Sequence, residues 1–273
     1  MQQTAFYPAH LNSMAKIVDF CGWQMPINYG SQIKEHEAVR TDVGMFDVAH
    51  MVITDVTGSG AKNFLRYLLS NDVAKLEKFG VGKALYSGML NEQGGVVDDL
   101  IVYYTSFGYR IISNAATCEK DSLWLKQQSA NFAVELTHRQ DLAILAVQGP
   151  NAISKMSSIK PWLTDKLSHL KPFMAIEDNG IFYARTGYTG EDGLEIILPC
   201  TEAVSWWNLF AAHGVIPCGL AARDTLRLEA GMNLYGHDMD DTTSPLECNM
   251  DWVVDLNDAA RDFIGKSAYQ ELK

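Results

Sequence analysis

Two adjacent carboxylates in a strand-like segment are well placed to do chemistry. The segment GGVVDDLIVYY, residues 94–104, predicts a strand in which Asp98 shares a face with Leu100, while Asp99 lies on the opposite face. Both faces are otherwise apolar, so at least one carboxyl is poorly solvated. Its pKa is then raised unless a donor or a cation satisfies it, which suits polar catalysis. The spacing alone favours another interpretation, a strand end where both aspartates cap backbone groups or reach water.

A glutamate within an apolar run is the second candidate. In TGYTGEDGLEIILP, residues 186–199, three glycines predict a permissive loop whose backbone can approach a ligand closely. Glu195 follows within LEIIL, where an unpaired charge would cost several kcal/mol, so we expect it to have a dedicated partner. A planar array of N–H groups on a ligand would serve, because one carboxylate accepts two parallel hydrogen bonds. The alternatives are an internal ion pair and a hairpin edge that faces water.

Two arginines on a predicted helix form the third candidate. In residues 218–236, Arg223 and Arg227 share one helical face, and Asp224 lies three residues before Arg227 and can pair with it. This pairing leaves Arg223 freer to meet a carbonyl or an anion near the helix start. Taken alone, the segment favours a solvated amphipathic helix with ordinary charge pairs.

The elements that must position these residues follow a repeated order. Ser31 predicts an N-terminal cap, the glycines of NEQGG predict a hairpin, and residues 235–257 predict irregular structure. Strand, helix, two or three strands and helix occur twice, which predicts an α+β fold with two related lobes of antiparallel sheet plus helices. Strands are predicted over 45–56, 83–90, 96–104, 109–114, 132–138, 142–149, 181–186 and 194–199, and helices over 32–40, 61–70, 119–130, 150–170 and 202–213.

Composition excludes several classes of protein. The 273 residues are 47% hydrophobic and 20% charged, which excludes disorder, and their net charge of −11 argues against nucleic-acid partners and anionic membranes. The five scattered cysteines form no C-x-x-C pair, which indicates a reducing compartment. We expect no signal peptide, membrane span or metal site, and therefore a cytoplasmic protein.

Seven sequence blocks together resemble one known family. FCGWQMP, GMFDVAHM, GGVVDDL, AVQGP, TGYTGEDGLEI, GLAARDTLRLEAGMNLYG and SPLE occur in this order, over essentially the whole chain, in the aminomethyltransferase T-proteins of the glycine cleavage system. The resemblance implies that tetrahydrofolate accepts a one-carbon unit from the aminomethyl-lipoyl arm of H-protein, with release of ammonia. It also implies a folate-binding fold with a central channel.

The resemblance assigns roles position by position. Asp98 matches the catalytic aspartate, and Glu195 and Arg223 match the glutamate and arginine that bind the pterin. A fixed carboxylate can stabilise the positive charge that develops when the amine departs, and can orient or deprotonate a folate nitrogen. Looser matching places four further residues in the folate pocket: Met51, Tyr86, Asn114 and Tyr188.

The resemblance also implies a domain organisation. Residues 1–48 and 142–257 would form folate-binding lobe A, 49–141 lobe B, and 258–273 the start of a connection to a C-terminal β-barrel. We expect that barrel, about 90 residues in the family and thus of ordinary domain size, to be absent. Two alternatives follow: a truncated protein that only binds folate, and a related folate-dependent demethylase. A folate-binding assembly factor for iron–sulfur clusters is disfavoured, because FIGKSAYQE, residues 263–271, lacks the signature cysteine.

Overall fold

The computed structural model describes residues 1–273, which divide into two compact units. Unit 1 contains Met1–His50 and Gln140–Met232, and unit 2 contains Met51–Arg139 and Asn233–Lys273. Residues 233–257, assigned to lobe A from the sequence, lie in unit 2 together with the end of the chain.

Runs of mostly two or three consecutive strands are separated by helices along the chain, as expected of an α+β fold with antiparallel sheets. The strands are β1 Lys16–Phe20, β2 Trp23–Asn28, β3 Gly44–Asp47, β4 Val52–Thr57, β5 Ala84–Leu90, β6 Val96–Thr105, β7 Gly108–Ser113, β8 Glu135–His138, β9 Leu142–Gln148, β10 Ala175–Asp178, β11 Ile181–Ala184, β12 Gly193–Pro199 and β13 Ile216–Pro217. The helices are α1 Tyr7–Asn12, α2 Gln32–Thr41, α3 Ala61–Leu68, α4 Ala74–Glu77, α5 Cys118–Gln128, α6 Ala152–Ile159, α7 Thr164–His169, α8 Ala203–Ala212, α9 Leu220–Glu229 and α10 Lys266–Leu272. No helix is both long and apolar enough to span a bilayer.

Unit 1 is built on a six-stranded sheet in the order β10-β11-β12-β9-β3-β13. Its neighbours are antiparallel except β13, which pairs in parallel with β3. Ser31 caps α2 as predicted, its hydroxyl accepting a hydrogen bond from the Lys34 amide. Apolar side chains from the sheet and from α8, including Leu145 and Trp207, form its core. In this sheet β12 is an internal strand, and Glu195 therefore lies at its centre.

Unit 2 is built on a five-stranded antiparallel sheet in the order β5-β6-β7-β4-β8. The hairpin predicted at NEQGG joins β5 to β6, and α3 buries Phe64, Leu65 and Leu68 against the sheet. A second apolar cluster includes Met250 and Phe263. As predicted, residues 235–257 are largely irregular, with one 3₁₀ turn at Asp251–Val253.

The predicted single strand over residues 45–56 is wrong. The chain bends between Asp47 and Val52, so β3 joins the sheet of unit 1 and β4 joins that of unit 2. Alternation of residue types could not reveal this, because the β-branched residues on both sides of the bend suit either strand equally well.

Candidate active site

Asp98 lies fully buried in β6, next to an irregularity in the pairing of β5 with β6. Met89 pairs with Asp98 and Leu90 pairs with Val96, so Val97 has no partner on β5. Such a bulge changes the direction of the side chains that follow it. The Asp98 carboxylate is 0% exposed and accepts hydrogen bonds from Asn114 Nδ2 and Thr117 Oγ1, each at 2.8 Å. The interpretation of Asp98 as a solvated strand end is therefore wrong.

Asn114 holds both aspartates with one amide group. It follows the last residue of β7, and its Nδ2 donates to Asp98 Oδ1 at 2.8 Å and to Asp99 Oδ1 at 2.9 Å. Tyr86 completes the arrangement by donating its hydroxyl to Asp99 Oδ2 at 2.8 Å. Burial and the adjacent Asp98 charge raise the pKa of Asp99 to about 6, although both hydrogen bonds act in the opposite direction.

An aromatic surface lies beside this pair of carboxyls. The rings of Tyr86 and Trp252 are stacked with centroids 5.7 Å apart, and Trp252 is 64% exposed. Met250 packs in the buried cluster beside Tyr86. Met51 directly precedes Val52, whose partner in β7 is Ser113. A flat, exposed ring surface next to fixed polar groups suits a planar heterocyclic ligand.

In unit 1, Glu195 has the dedicated partner that its surroundings require. It pairs with Ala146 on one side and Ala184 on the other, and Thr186 donates its hydroxyl to Glu195 Oε2 at 2.6 Å. The hairpin-edge alternative is wrong, because β12 has neighbours on both sides. The ion-pair alternative is also wrong, because no cation lies within salt-bridge distance. Oε1 receives no hydrogen bond and remains a free acceptor.

Arg223 brings a positive charge to the same unit. Its guanidinium lies over the Tyr188 ring, 4.6 Å from the centroid, and makes no hydrogen bond. Burial lowers its pKa, while the charge of Glu195 acts in the opposite direction. As predicted, Asp224 pairs with Arg227, at 2.9 Å, and leaves Arg223 without a carboxylate partner. The helix is not simply solvated, since Arg227 is only 2% exposed.

Gln148, which the sequence did not single out, fixes the glycine loop before Glu195. Its side chain is 1% exposed, donates to Thr186 O at 3.1 Å and accepts from Thr189 Oγ1 at 3.0 Å. A Cβ at Gly187 would lie 1.9 Å from Gln148 Oε1, so glycine is required by this close approach. The loop therefore holds Thr186 in place to donate to Glu195.

A buried histidine in unit 1 is a further residue that sequence reasoning missed. His50 is 7% exposed, and its Nδ1 has no hydrogen-bond partner. Burial lowers its pKa to about 4, with Arg223 acting in the same direction, so the imidazole is neutral near pH 7. The block GMFDVAHM could have indicated it, because a histidine stands here between the apolar residues Ala49 and Met51.

The site residues named from the sequence fall into two groups. Unit 1 brings together Glu195, Arg223 and Tyr188. Unit 2 brings Asp98 together with Asn114, and Tyr86 joins them through Asp99. Thr117 and Thr186 were not foreseen, although Thr117 lies three residues after Asn114 and Thr186 is the first residue of the block that contains Glu195. The described residues include no group of three or more His, Cys, Asp or Glu side chains placed to hold a metal ion.

Known proteins resemble this chain in both sequence and structure. The family model described as GCVT N-terminal domain matches residues 6–258. An aminomethyltransferase of Neisseria meningitidis is 58% identical over 277 residues, covering 100% of this chain and 75% of that protein. One from Chromobacterium violaceum is 57% identical over 272 residues, with the same coverage of 100% and 75%.

A solved structure agrees with the sequence comparisons. The crystal structure of glycine cleavage system aminomethyltransferase T from Bartonella henselae matches with a TM-score of 0.91 and 34% identity. The match covers 99% of this chain and 74% of that one. These findings confirm the fold and the family indicated by the seven sequence blocks: the chain belongs to the GCVT family, that of the aminomethyltransferase T-proteins of the glycine cleavage system.

Proposed function

We propose that this chain transfers the one-carbon unit of an aminomethyl-lipoyl group on H-protein to tetrahydrofolate, with release of ammonia. The observation that carries the proposal is the fully buried Asp98 carboxylate, held by the two donors Asn114 and Thr117. A carboxylate fixed in this way needs no reorganisation to stabilise a positive charge that develops beside it. The loss of an amine from an aminomethyl carbon develops such a charge.

The proposed substrate roles of the unit 1 residues follow from their unused hydrogen-bonding capacity. A reduced pterin presents neighbouring N–H groups and a ring carbonyl. Glu195 Oε1 can accept from the N–H groups, and the unengaged Arg223 guanidinium can donate to the carbonyl. We propose that both residues orient the pterin, and that Tyr188 holds the Arg223 guanidinium in position through the contact between them. Met51, Tyr86 and Asn114 are proposed as further contacts to folate.

The proposed partner protein and cellular compartment follow from the chemistry of the reaction. The one-carbon unit comes from a lipoyl arm, so the proposed partner is the lipoyl-bearing H-protein. The proposal involves neither a nucleic acid nor a membrane. All five cysteines are free, which fits a reducing compartment, and we propose the cytoplasm. No metal is required for the proposed chemistry.

Two measurements together test the proposed function. Ammonia release from aminomethylated H-protein is measured with and without tetrahydrofolate, alongside a direct titration of folate by calorimetry. Release that depends on both the protein and folate supports the transferase. Folate binding without release would point to a protein that only binds folate. Transfer of the methyl group of an N-methyl amine to folate, with release of the demethylated amine, would instead point to a demethylase. Absence of both binding and release would contradict the proposal.

Glu195→Ala is expected to weaken binding of tetrahydrofolate by about tenfold to a hundredfold, because one hydrogen bond to a charged group contributes about 1.5–3 kcal/mol. Calorimetric titration of the purified variant measures the change in Kd. The matched control is Glu177→Ala in β10, where the side chain is exposed. Equal affinity in the Glu195 variant and the control would contradict a pterin-binding role for Glu195.

The pKa of Asp99 predicts a pH dependence of turnover. Protonation removes a negative charge from the pair that shares Asn114, so kcat is expected to fall as the pH decreases through about 6 and to be constant above it. Asp99→Asn keeps the side-chain shape but cannot titrate. A pH–rate profile of this variant should lack the inflection near pH 6, and an unchanged inflection would assign it to another group.

A further inference from the structure

A buried aspartate on α5 lies beside Asp98 and has no hydrogen-bond donor of its own. Asp121 is 2% exposed, and neither of its carboxyl oxygens receives a hydrogen bond. Its backbone amide donates to Thr117 O at 2.8 Å, which places it one helical turn after the residue whose hydroxyl donates to Asp98. An ionised carboxylate in this position would have lost its hydration without any replacement.

The contact between the two carboxyls requires a proton. The side chains of Asp121 and Asp98 face each other within hydrogen-bonding reach. Two ionised carboxylates offer only acceptors and repel each other, so this contact becomes a hydrogen bond only when one of them is protonated. Asp98 already accepts from Asn114 and Thr117, which favours negative charge on Asp98. Asp121 has no donor of its own, since the neighbouring Thr117 hydroxyl donates to Asp98 Oδ2 at 2.8 Å, so the proton belongs on Asp121.

We propose that Asp121 is a positioning residue: it carries a proton at neutral pH and donates it in a hydrogen bond to Asp98, so that the two carboxyls hold one negative charge. The bond adds a third donor to Asp98 and fixes the carboxylate from the side of α5. Burial and the neighbouring Asp98 raise the pKa of Asp121 well above its ordinary value of 3.8, in agreement with this assignment.

The other charged groups around the pair do not remove the need for this proton. Asp99 on β6 is a second nearby acid, which shares Asn114 with Asp98. Lys120 is the nearest cation on α5, but it donates to the Tyr235 hydroxyl and pairs with Asp241 at 3.6 Å. Its positive charge is therefore engaged by Asp241 and neutralises Asp121 only weakly.

The catalytic consequence rests on the proposed function, whereas the proton on Asp121 does not. Without its third donor, the Asp98 carboxylate can rotate or shift, and a displacement of about 1 Å can reduce the rate about a hundredfold. Asp121→Leu, which offers no donor, is expected to lower kcat by about tenfold to a hundredfold with little change in KM for folate. Asp121→Asn retains an N–H donor toward Asp98 and is expected to keep most of the turnover.

Infrared spectroscopy tests the proton directly. With ¹³C-labelled aspartate, the carbonyl stretch of a protonated carboxyl is recorded at about pH 8, about two units above the pKa of about 6 for Asp99, so that Asp99 is ionised. We expect this band in the unmodified chain and its loss in Asp121→Asn. The matched control, Asp165→Asn on α7, removes an exposed aspartate whose side chain is 93% accessible, and should keep the band. Absence of the band from the unmodified chain, or its persistence in Asp121→Asn, would overturn the assignment.

The pH dependence of stability provides a second measurement. An acid with a raised pKa in the native state binds more protons there than in the unfolded state, so it adds a decrease to the free energy of unfolding as the pH rises above about 4. This decrease should be smaller in Asp121→Asn than in the unmodified chain. Urea midpoints at about pH 5 and about pH 8 measure it, and equal decreases in both proteins would contradict a protonated native Asp121.

The readouts separate this inference from the proposed function. If the band depends on Asp121 but no ammonia is released, the proton assignment stands and the transferase proposal fails. If ammonia is released but Asp121→Leu keeps full kcat, the transferase stands and Asp121 has no positioning role.

Discussion

Asp98→Asn is expected to reduce kcat for folate-dependent ammonia release by about 10²–10⁴-fold while leaving folate affinity nearly unchanged. The amide has the size of the carboxyl, and its oxygen can still accept from Asn114 or Thr117, so the surroundings should persist. What is lost is the negative charge and the capacity to accept a proton. Steady-state kinetics with aminomethylated H-protein measures kcat, and calorimetry measures the affinity for tetrahydrofolate.

Two controls make the Asp98 result specific. Asp165→Asn removes an exposed aspartate and should retain full turnover. The urea midpoint of Asp98→Asn should equal or exceed that of the unmodified chain, because a buried charge has been removed without loss of volume. Undiminished turnover in a folded Asp98→Asn variant would show that this carboxylate is not the catalytic group.

Arg261→Met is expected to lower the free energy of unfolding by about 3–5 kcal/mol. The Arg261 guanidinium is buried and donates to five backbone carbonyl groups, those of Arg66, Leu69, Ser70, Asn71 and Asp255. Arg66 lies in the last turn of α3 and Leu69 is its C-cap, where the last carbonyls of a helix lack intrahelical partners. Methionine fills much of the same volume but donates nothing, so these carbonyls lose their side-chain donor, and only Ser70 O keeps a backbone donor, the Asp255 amide. Urea denaturation measures the change.

The control for Arg261 is an arginine with a more exposed partner. Arg185 pairs with Asp192 through two hydrogen bonds at 2.8 and 2.6 Å, and Asp192 is 39% exposed. Arg185→Met should cost less, because Arg185 donates to one backbone carbonyl, that of Leu170, instead of five, and exposed ion pairs contribute about 0.2–1 kcal/mol. If the two variants lost equal stability, the carbonyl contacts of Arg261 would not be its main contribution.

The outline of the fold was predictable because local patterns are strong in this sequence. Alternation located most strands of both sheets, and helical spacing located α3, α5 and α8. The strand pairing of β3 was not predictable. It joins Gly44 to Gln148 and to Ile216, residues far away in sequence, and local sequence patterns do not report such contacts. The hairpin β1–β2 was also not predicted, because apolar and polar residues do not alternate distinctly in its two strands.

The candidate site was predictable where a charge interrupts an apolar run. Asp98 and Glu195 stand out in this way, and the sequence alone indicated that Glu195 needed a partner. The identity of that partner, Thr186, was not predictable, since the loop must first close around Gln148. Asp121 could have been found on the inner face of α5, four residues before the buried Leu125. The role proposed for Asp121 could not be predicted, because it depends on Asp98, which is distant in sequence.

The connectivity of β3 has a consequence for folding during synthesis. All five strands of the unit 2 sheet lie within residues 52–138, so the ribosome releases them as one continuous segment. β3 is made before them, yet its partners β9 and β13 begin only at Leu142 and Ile216. Closing such long loops is slow, so both edges of β3 stay unpaired while the later sheet assembles. We therefore expect the nascent chain to depend on chaperones until residue 217 has emerged.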